Sequence, residues 1–279
     1  MDLTVTGKLA IVTGANTGIG RPTAVALAKH GAHVLLACRS EPRTRPVVEE
    51  FTQAGGKAEF VSLDLADLAS ARACAEAFLE RGRPLALLVN NAGLAGARGL
   101  TKDGFELAFG TNHLGHYLLT RLLLPALERA GQARVVNVAS GGHYRARGID
   151  WDAVRKPTVH VTGFHEYCVS KLANVLFTRA LAERAPSGVH AYALHPGGVA
   201  TDVWRHVPCG IRHLLKRFLL TSEQGARTTL HCATSNEVRD QSGLYYDRCK
   251  PKTASKHALD PDLARELWER SAAWTGLPA

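Results

Sequence analysis

Tyr167 and Lys171 are the residues of this sequence whose types and spacing most directly predict proton chemistry. They stand four positions apart in a helical pattern over about residues 165–184, so both side chains would project from one helix face. A phenol loses its proton near pH ~10, and an ammonium beside it favours the phenolate and lowers that pKa. Such a pair could donate or accept a proton near neutral pH. Because Tyr-x-x-x-Lys also arises by chance, the interpretation depends on the other motifs of the chain.

A second pattern with chemical meaning is the stretch Thr13-Gly14-Ala15-Asn16-Thr17-Gly18-Ile19-Gly20. It joins the apolar run Leu9–Val12 to a helical pattern that begins near Ile19. Glycines let the backbone turn tightly and approach a ligand, and the helix directs its free N–H groups and positive dipole end at the same place. This predicts an anion site, with a pyrophosphate over the helix N-terminus of a dinucleotide-binding βαβ unit. A purely structural Gly-rich turn is the alternative.

The end of the second predicted strand indicates which dinucleotide would bind. The apolar run His33–Cys38 is followed by Arg39, Ser40 and Arg43, with no Asp or Glu at the strand tip. An acidic residue at this place bonds a ribose 2′-hydroxyl, whereas an arginine accommodates a 2′-phosphate. We therefore predict NADP(H) rather than NAD(H), the alternative being that Arg39 is a solvated loop charge.

Small and polar residues follow two further predicted strands. Asp64 and Leu65 come after the third strand, and Asn90-Asn91-Ala92-Gly93 follows the fourth. Ligands bind at the carboxyl edge of a parallel sheet, so Asp64 could accept from an adenine amino group, or it could cap the helix that starts near Leu68. The Asn-Asn-Ala-Gly stretch could join neighbouring strands and let an adenosine lie against bare backbone.

Ser140 and Asn112 complete the set of candidate residues. Ser140 stands at the carboxyl end of the fifth predicted strand, where it could begin a loop or direct its hydroxyl at a ligand. Asn112 falls inside one long helical pattern, about residues 105–127, where an amide usually needs a specific partner. His113 and His116 form an i,i+3 pair without a nearby carboxylate or cysteine, so we interpret them as surface or packing residues and predict no metal site.

The elements that would position these residues alternate between strands and helices. This alternation predicts an α/β fold: a single doubly wound Rossmann domain over residues 1–279, with a seven-stranded parallel sheet and helices on both faces. A chain of 279 residues with 46% hydrophobic and 21% charged residues has ordinary globular composition for one such domain.

Charge and cysteine usage exclude several classes of protein. The net charge of +9 comes from basic residues spread along the chain without aromatic interleaving, so we predict no nucleic-acid partner. The six cysteines are scattered and predict reduced thiols. We find no signal peptide and no run of ~18 apolar residues, so we expect a soluble, cytoplasmic protein without a transmembrane segment.

Together these motifs resemble those of the short-chain dehydrogenase/reductase family over about residues 5–275. The residues that carry the resemblance occur in the family's order: Thr13-Gly14-x-x-x-Gly18-x-Gly20, Asp64, Asn90-Asn91-Ala92-Gly93, Asn112, Ser140, Tyr167-x-x-Ser170-Lys171 and Pro196-Gly197-x-Val199-x-Thr201. Within the family the chain resembles the retinol-dehydrogenase-like branch in Leu36-Ala37-Cys38-Arg39, Asn112-His113-Leu114-Gly115-His116, Ser222-x-x-Gly225-Ala226 and Ser242-Gly243-x-Tyr245.

The resemblance implies an NADP(H)-dependent oxidoreductase that interconverts an alcohol and its aldehyde or ketone by hydride transfer. Tyr167 would be the general acid/base, Lys171 would hold the phenolate and the nicotinamide ribose, Ser140 would bind the substrate oxygen, and Asn112 would position a water. It implies these cofactor-binding residues: Gly14, Asn16, Thr17, Gly18, Ile19, Gly20, Arg39, Ser40, Asp64, Leu65, Asn91, Ala92, Gly93, Val138, Tyr167, Lys171, Pro196, Gly197, Val199 and Thr201. The alternative is a catalytically idle nucleotide-sensing or scaffold protein.

For the substrate mouth, the lid and the oligomer the sequence leaves alternatives open. The spacing from Ser140 to Tyr167 exceeds the family's commonest one, which indicates an insertion at the substrate mouth or a displaced serine. We expect a substrate lid at about residues 199–220, whose apolar stripe favours an apolar carbonyl or alcohol substrate. The stripe could instead pack on the sheet or on a partner subunit, and its basic face could rest on anionic lipid. The resemblance also implies a homodimer or homotetramer through the Tyr167 helix.

Overall fold

A β-sheet lies at the centre of the computed structural model, which describes residues 5–199 and 220–279. In chain order its strands are β1 (Leu9–Thr13), β2 (His33–Cys38), β3 (Lys57–Ser62), β4 (Leu87–Asn90), β5 (Ala133–Val138), β6 (Val189–His195), β7 (Tyr245–Asp247) and β8 (Lys250–Pro251). Their spatial order is β3-β2-β1-β4-β5-β6-β7-β8, and β1 to β7 are parallel. The order reverses between β1 and β4, which is where a doubly wound sheet binds its ligand.

The sheet has one strand more than the sequence predicts. β8 runs antiparallel to β7 and makes the eighth strand, where we expected seven parallel ones. Arg248 and Cys249 join the two strands with φ values of 51° and 61°, the backbone of a two-residue hairpin turn. Such turns usually contain Asn or Gly, so this turn carries no signal in the sequence.

The helices cover both faces of the sheet, as predicted. They are α1 (Gly20–Lys29), α2 (Glu41–Gln53), α3 (Leu68–Leu79), α4 (Leu107–Phe109), α5 (Gly115–Arg129), α6 (Phe164–Arg184), α7 (Ser222–Thr234) and α8 (Pro261–Thr275). Helices α1, α2 and α7 share one apolar core with the sheet, and α3, α5 and α6 pack on its opposite face, with α8 against α6. Four short 3₁₀ turns are Gly141–Arg145, Ala153–Arg155, Asn236–Val238 and Lys256–Leu259.

The long helix predicted over residues 105–127 is interrupted. The three residues of α4 lead into one π-helical turn, Gly110–Leu114, and the regular helix α5 begins only at Gly115. The apolar residues continue at helical spacing through the break, so periodicity alone could not locate it. Single π turns inside helices are frequent at functional sites, and this one contains Asn112.

Helix α6 is the most enclosed helix of those described. Every residue from Cys168 to Thr178 is buried, about three helical turns. Polar residues of this helix therefore face protein on every side. Tyr167 and Lys171 lie at its amino-terminal end, beside the carboxyl ends of β5 and β6.

Two observations concern only the part of the chain described here. Within residues 5–199 and 220–279, no helix combines the length and the apolar composition that crossing a membrane requires. The same residues contain no group of three or more His, Cys, Asp or Glu side chains suited to a metal ion. Most of the predicted lid, residues 200–219, lies outside the described residues.

Candidate active site

A cavity of about 340 Å³ opens along the carboxyl edge of the sheet, at the point where the strand order reverses. It is lined by the predicted cofactor residues with two exceptions. Gly20 does not line the cavity, and Thr201 is outside the described residues. Of the predicted catalytic residues, Ser140, Tyr167 and Lys171 line one end of this cavity, whereas Asn112 is fully buried behind it.

The glycine-rich loop has the geometry of an anion-binding turn. Gly14 has a φ of +63°, and a Cβ there would lie 3.0 Å from the Ala92 Cβ. A Cβ on Gly20 would lie 2.3 Å from the Gly14 carbonyl oxygen, a distance that no side chain tolerates. Helix α1 starts after Ile19 with no side-chain cap and no acidic residue in its first turn. In this first turn the Arg21 N–H donates to the Thr17 carbonyl at 3.4 Å and Pro22 has no N–H, so the Gly20 N–H is the group left for a ligand.

Arginines line the end of the cavity that is farthest from Tyr167. Arg39 and Arg43 border it together with Ser40, and no acidic partner of either arginine occurs among the described residues. By contrast, Arg45 pairs with Glu41 at 2.6 Å on the outside of α2. Two unpaired guanidinium groups beside one cavity favour an anionic ligand there.

Asp64 does not cap the following helix. Asp67 is the N-cap of α3 and accepts from the backbone N–H groups of Ala69 and Ser70. Asp64 accepts instead from the Ala66 N–H at 3.0 Å and borders the cavity. Of the two roles that the sequence left open, the capping role is therefore wrong, and the contact with an adenine stays a prediction.

The two asparagines after β4 join neighbouring elements, as the sequence predicts. Asn90 Nδ2 donates to Thr120 Oγ1 at 2.9 Å and to Asn137 Oδ1 at 2.8 Å. Asn91 Nδ2 donates to the Thr13 carbonyl at 2.8 Å, and its backbone N–H donates to Thr13 Oγ1 at 2.9 Å. These bonds fix the ends of β1, β4 and β5 relative to one another.

Asn112 has the specific partners that an amide in a helix requires. Its Oδ1 accepts from the Leu94 N–H at 2.9 Å, and its Nδ2 donates to the Leu94 carbonyl at 3.0 Å and to Ser170 Oγ at 2.9 Å. The π turn therefore ties the loop after β4 to α6. A Cβ on Gly93 would lie 3.3 Å from Asn112 Oδ1 and 3.4 Å from Lys171 Nζ, so these two side chains converge behind one glycine.

Ser140, Tyr167 and Lys171 converge at the other end of the cavity. Ser140 Oγ accepts from the Gly142 N–H at 3.0 Å, and a Cβ on Gly142 would lie 3.4 Å from both Ser140 Oγ and Tyr167 Cε1, so the serine hydroxyl lies beside the Tyr167 ring. Lys171 Nζ donates to the Val138 carbonyl at 2.8 Å and lies 5.7 Å from the centre of the Tyr167 ring. The serine therefore lies next to Tyr167 despite the long connection between them, and the insertion stays a prediction.

The pKa of Tyr167 differs from the sequence prediction, in which the ammonium of Lys171 lowers it. Burial raises the pKa of Tyr167 to about 12, although the hydrogen bond with Ser140 opposes this shift. Burial also lowers the pKa of Lys171 to about 8. The expected lowering of the Tyr167 pKa by Lys171 does not appear, because the desolvation of the phenol outweighs an ammonium at this distance. At neutral pH the phenol is protonated and the lysine is mostly charged.

His195 is a cavity residue that the sequence reasoning missed. It ends β6 and borders the cavity, and its Nδ1 is buried without a hydrogen-bond partner among the described residues. A Cβ on Gly141 would lie 3.5 Å from His195 Nε2, so the imidazole faces the turn that follows Ser140. Its position at a strand end, directly before Pro196-Gly197, is the same signal that singled out Ser140.

Comparison with known proteins adds an independent observation. The family described as short chain dehydrogenase matches residues 8–150. Retinol dehydrogenase 11 of Homo sapiens is 41% identical over 278 residues, covering 98% of this chain and 87% of that protein. Retinol dehydrogenase 12 of Bos taurus is 42% identical over 283 residues, covering 99% of this chain and 89% of that protein.

Solved structures share the fold. An uncharacterised protein of Mycobacterium paratuberculosis has a TM-score of 0.80 at 32% identity, covering 100% of this chain and 98% of that one. A gluconate 5-dehydrogenase of Beutenbergia cavernae with bound NADP has a TM-score of 0.70 at 30% identity, covering 87% and 95% of the two chains. A 3-ketoacyl-(acyl-carrier-protein) reductase of Brucella melitensis complexed with NADH has a TM-score of 0.67 at 28% identity, covering 88% and 97%. These neighbours thus include both NADP-bound and NADH-bound proteins.

Proposed function

Since the chain belongs to the short-chain dehydrogenase/reductase family and is retinol-dehydrogenase-like, we propose that it is an NADP(H)-dependent oxidoreductase for an apolar alcohol and its aldehyde or ketone. One observation carries this proposal: a single cavity has Ser140, Tyr167 and Lys171 at one end and the unpaired Arg39 and Arg43 at the other. That arrangement matches a hydride carrier with a phosphorylated ribose.

The residues present fit a dinucleotide. The Gly14–Gly20 turn borders the cavity, where a pyrophosphate would accept from the Gly20 N–H at the start of α1. Arg39, Ser40 and Arg43 would hold a 2′-phosphate, and Asp64 with Leu65 would border the adenine. Val138, Lys171, Pro196, Gly197 and Val199 would surround the nicotinamide end. When bound, the cofactor exchanges a hydride with the substrate carbon.

Ser140 and Tyr167 would act on the substrate oxygen. Ser140 and Tyr167 border the same part of the cavity and lie beside one another, so a carbonyl oxygen placed next to their hydroxyl groups would accept from each. As negative charge develops on that oxygen, the hydrogen bond from Ser140 strengthens and Tyr167 transfers its proton. The raised pKa of Tyr167 keeps the proton on the phenol at neutral pH, which is the form that reduction requires. Lys171 supplies positive charge that favours the phenolate left behind.

Substrate class, location and assembly are further parts of the proposal. The retinol dehydrogenases among the relatives support a large apolar alcohol or aldehyde. The described cysteines are all free, which supports the prediction of a reducing compartment such as the cytosol. A homodimer or homotetramer through the Tyr167 helix stays a prediction implied by the family.

Turnover by the purified chain tests the proposal. We expect NADPH oxidation with apolar aldehydes such as retinal, at a higher kcat/KM than with NADH. Tyr167→Phe should lower kcat by at least ~100-fold while the Kd for NADPH stays within about twofold, because the hydroxyl contributes to proton transfer and not to the phosphate contacts. NADPH binding without turnover of any aldehyde or ketone in the wild type would favour the idle nucleotide-binding protein instead.

A further inference from the structure

His143 is a buried histidine in the 3₁₀ turn directly after Ser140, and its contacts set it apart from a packing residue. Its side chain is fully buried. Its Nδ1 lies 2.7 Å from the Ser140 carbonyl oxygen, and its Nε2 lies 3.1 Å from the Ser255 backbone nitrogen. Both ring nitrogens are therefore used, whereas the buried His113 has a partner for Nε2 and none for Nδ1 within the described part of the chain.

The two partners determine which nitrogen carries the proton. A carbonyl oxygen can only accept, so His143 Nδ1–H donates to Ser140. A backbone N–H can only donate, so Nε2 accepts from Ser255. Burial lowers the pKa of His143, which agrees with a neutral imidazole held in this one tautomer.

Aromatic neighbours hold the ring in place. The imidazole centre lies 4.0 Å from that of Tyr144 and 4.6 Å from that of Tyr245, which is buried on β7. Tyr144 OH also donates to the Thr253 carbonyl at 2.5 Å. Two successive residues of the turn are therefore attached to the segment 252–256.

A continuous path of contacts connects this segment with the reacting groups. Ser255 donates to His143, His143 donates to the Ser140 carbonyl, and the Ser140 hydroxyl lies beside the Tyr167 ring, since a Cβ on Gly142 would be 3.4 Å from both. Rotation of the Ser140 peptide would move its side chain away from the phenol. We infer that His143 is a positioning residue, which through its Nδ1–H donor holds Ser140 in the orientation that the hydrogen bond with Tyr167 needs. The inference rests on the proposed function for its effect on rate, but its geometry can be tested without turnover.

Two substitutions separate the two contacts of the ring. In His143→Asn the amide nitrogen takes the place of Nδ1, which keeps the donor to Ser140 and loses the acceptor for Ser255. In His143→Gln the amide oxygen takes the place of Nε2, which keeps the acceptor and loses the donor. We expect His143→Gln to lower kcat roughly tenfold to a hundredfold with the Kd for NADPH unchanged, and His143→Asn to stay within about threefold of the wild type.

The decisive measurement is the ¹³Cζ NMR signal of Tyr167 at pH 7, which reports the hydrogen bond to its phenol. We expect His143→Gln to displace this signal in the same direction as Ser140→Ala does, and His143→Asn to leave it in place. Tyr144→Phe is the matched control, because it removes the hydrogen bond to Thr253 in the same segment but keeps the ring that packs on His143, and it should also leave the signal in place. Equal displacement in the Asn and Gln variants, or an unmoved signal in His143→Gln, would overturn the inference.

The unsubstituted protein provides a test that does not depend on how the variants fold. ¹⁵N spectra of labelled histidine should show His143 as the neutral Nδ1–H tautomer at pH 7. The Nε2–H tautomer, or a charged imidazolium, would contradict the donor to Ser140. If the wild type reduces no carbonyl compound, the proposed function fails, but the tyrosine and histidine spectra still decide whether His143 positions Ser140.

Discussion

At the scale of single residues, Lys171 destabilises the folded protein because its charge is buried, and it also lies in the candidate active site. Its ammonium is buried, donates to the Val138 carbonyl, and has no acidic partner among the described residues. Burying a charge without a counter-ion destabilises a fold, so such a residue persists where it serves a function. Lys171 therefore links the chemistry of the site directly to the stability of the protein.

Substituting Lys171 should stabilise the protein and stop its reaction. Its pKa of about 8 lies below the ordinary value, so the folded chain binds fewer protons than the unfolded chain between about pH 8 and 10.5. The destabilisation by the buried charge is therefore fully present at pH 7 and disappears as pH rises through this range. We expect Lys171→Met to raise the free energy of unfolding at pH 7 by on the order of 1–3 kcal/mol and to abolish turnover. Denaturant unfolding at pH 7 and 10 checks this, and a less stable variant at pH 7 would contradict it.

Arg39 should determine the choice between NADPH and NADH. It borders the cavity without an acidic partner, so its charge is available to a 2′-phosphate. Arg39→Asp should lower the ratio of the Kd for NADH to that for NADPH by ~10-fold or more, since it replaces attraction by repulsion. Arg45→Asp is the matched control, because Arg45 lies on α2 and pairs with Glu41 away from the cavity. Equal ratios in both variants would refute the assignment of the 2′-phosphate to Arg39.

At the scale of elements, the π turn and α5 hold two histidines that we interpreted as surface or packing residues. Both are buried, so the packing interpretation is confirmed. His116 Nδ1 lies 3.0 Å from the Asn112 carbonyl, and its Nε2 lies 2.9 Å from Thr13 Oγ1. Through these bonds α5 is attached to the end of β1, beside the glycine-rich loop.

These histidines should make the protein sensitive to acid. Burial lowers the pKa of His113 to about 3 and that of His116 to about 4, both below the ordinary 6.5. As pH falls from 6.5, the unfolded chain takes up protons that the folded chain does not, so stability is lost with acidification. At pH 5 each histidine should lower the free energy of unfolding by about 2 kcal/mol relative to pH 7. Between pH 7 and pH 5 the free energy of unfolding should fall by about 2 kcal/mol less in His113→Gln than in the wild type, as measured by denaturant unfolding. An equal fall in both proteins would contradict this prediction.

Elements with a local signal could be predicted from the sequence, and those without one could not. Strands β1, β2 and β4 are buried on both faces and appear as largely continuous apolar runs. The π turn keeps helical spacing, and the turn before β8 lacks glycine, so both were missed. His143 and His195 were missed because their significance depends on Ser255 and on Gly141, which are distant in sequence.

At the scale of the whole molecule, α8 covers the face formed by α5 and α6. Trp268 packs against Tyr117 and Phe177, and its ring lies between the guanidinium groups of Arg121 and Arg184 at 4.5 and 5.1 Å. The chain's own helix thus lies beside the Tyr167 helix, through which we expected a second copy to bind. Binding of a second copy through the Tyr167 helix stays a prediction that the family resemblance implies.

Trp268 should be a major contributor to stability. We expect Trp268→Ala to lower the free energy of unfolding by about 3–5 kcal/mol, the range for a large buried aromatic residue. Glu269→Ala is the control, because its side chain is exposed on the same helix and should change stability by less than ~0.5 kcal/mol. Light scattering should also show self-association of Trp268→Ala and not of the control. A small effect of Trp268→Ala would show that α8 contributes little to this face.

The amphipathic pattern of α8 predicts that one side of it is buried but not where it packs. Its partners Tyr117 and Phe177 lie about 90 to 150 residues earlier in the chain, and no local pattern encodes so distant a contact. The homodimer or homotetramer likewise has no local pattern in the sequence, because it was inferred only from the family resemblance.

The place of α8 after the sheet, α5 and α6 in chain order has a consequence for biosynthesis. Proteins emerge from the ribosome amino terminus first, at about 5–20 residues per second, so the sheet, α5 and α6 are all made before the helix that covers them. Until α8 itself has been synthesised, the aromatic surface around Tyr117 and Phe177 faces solvent, where a chaperone can bind it. Premature termination anywhere upstream of Pro261 would leave that surface permanently uncovered.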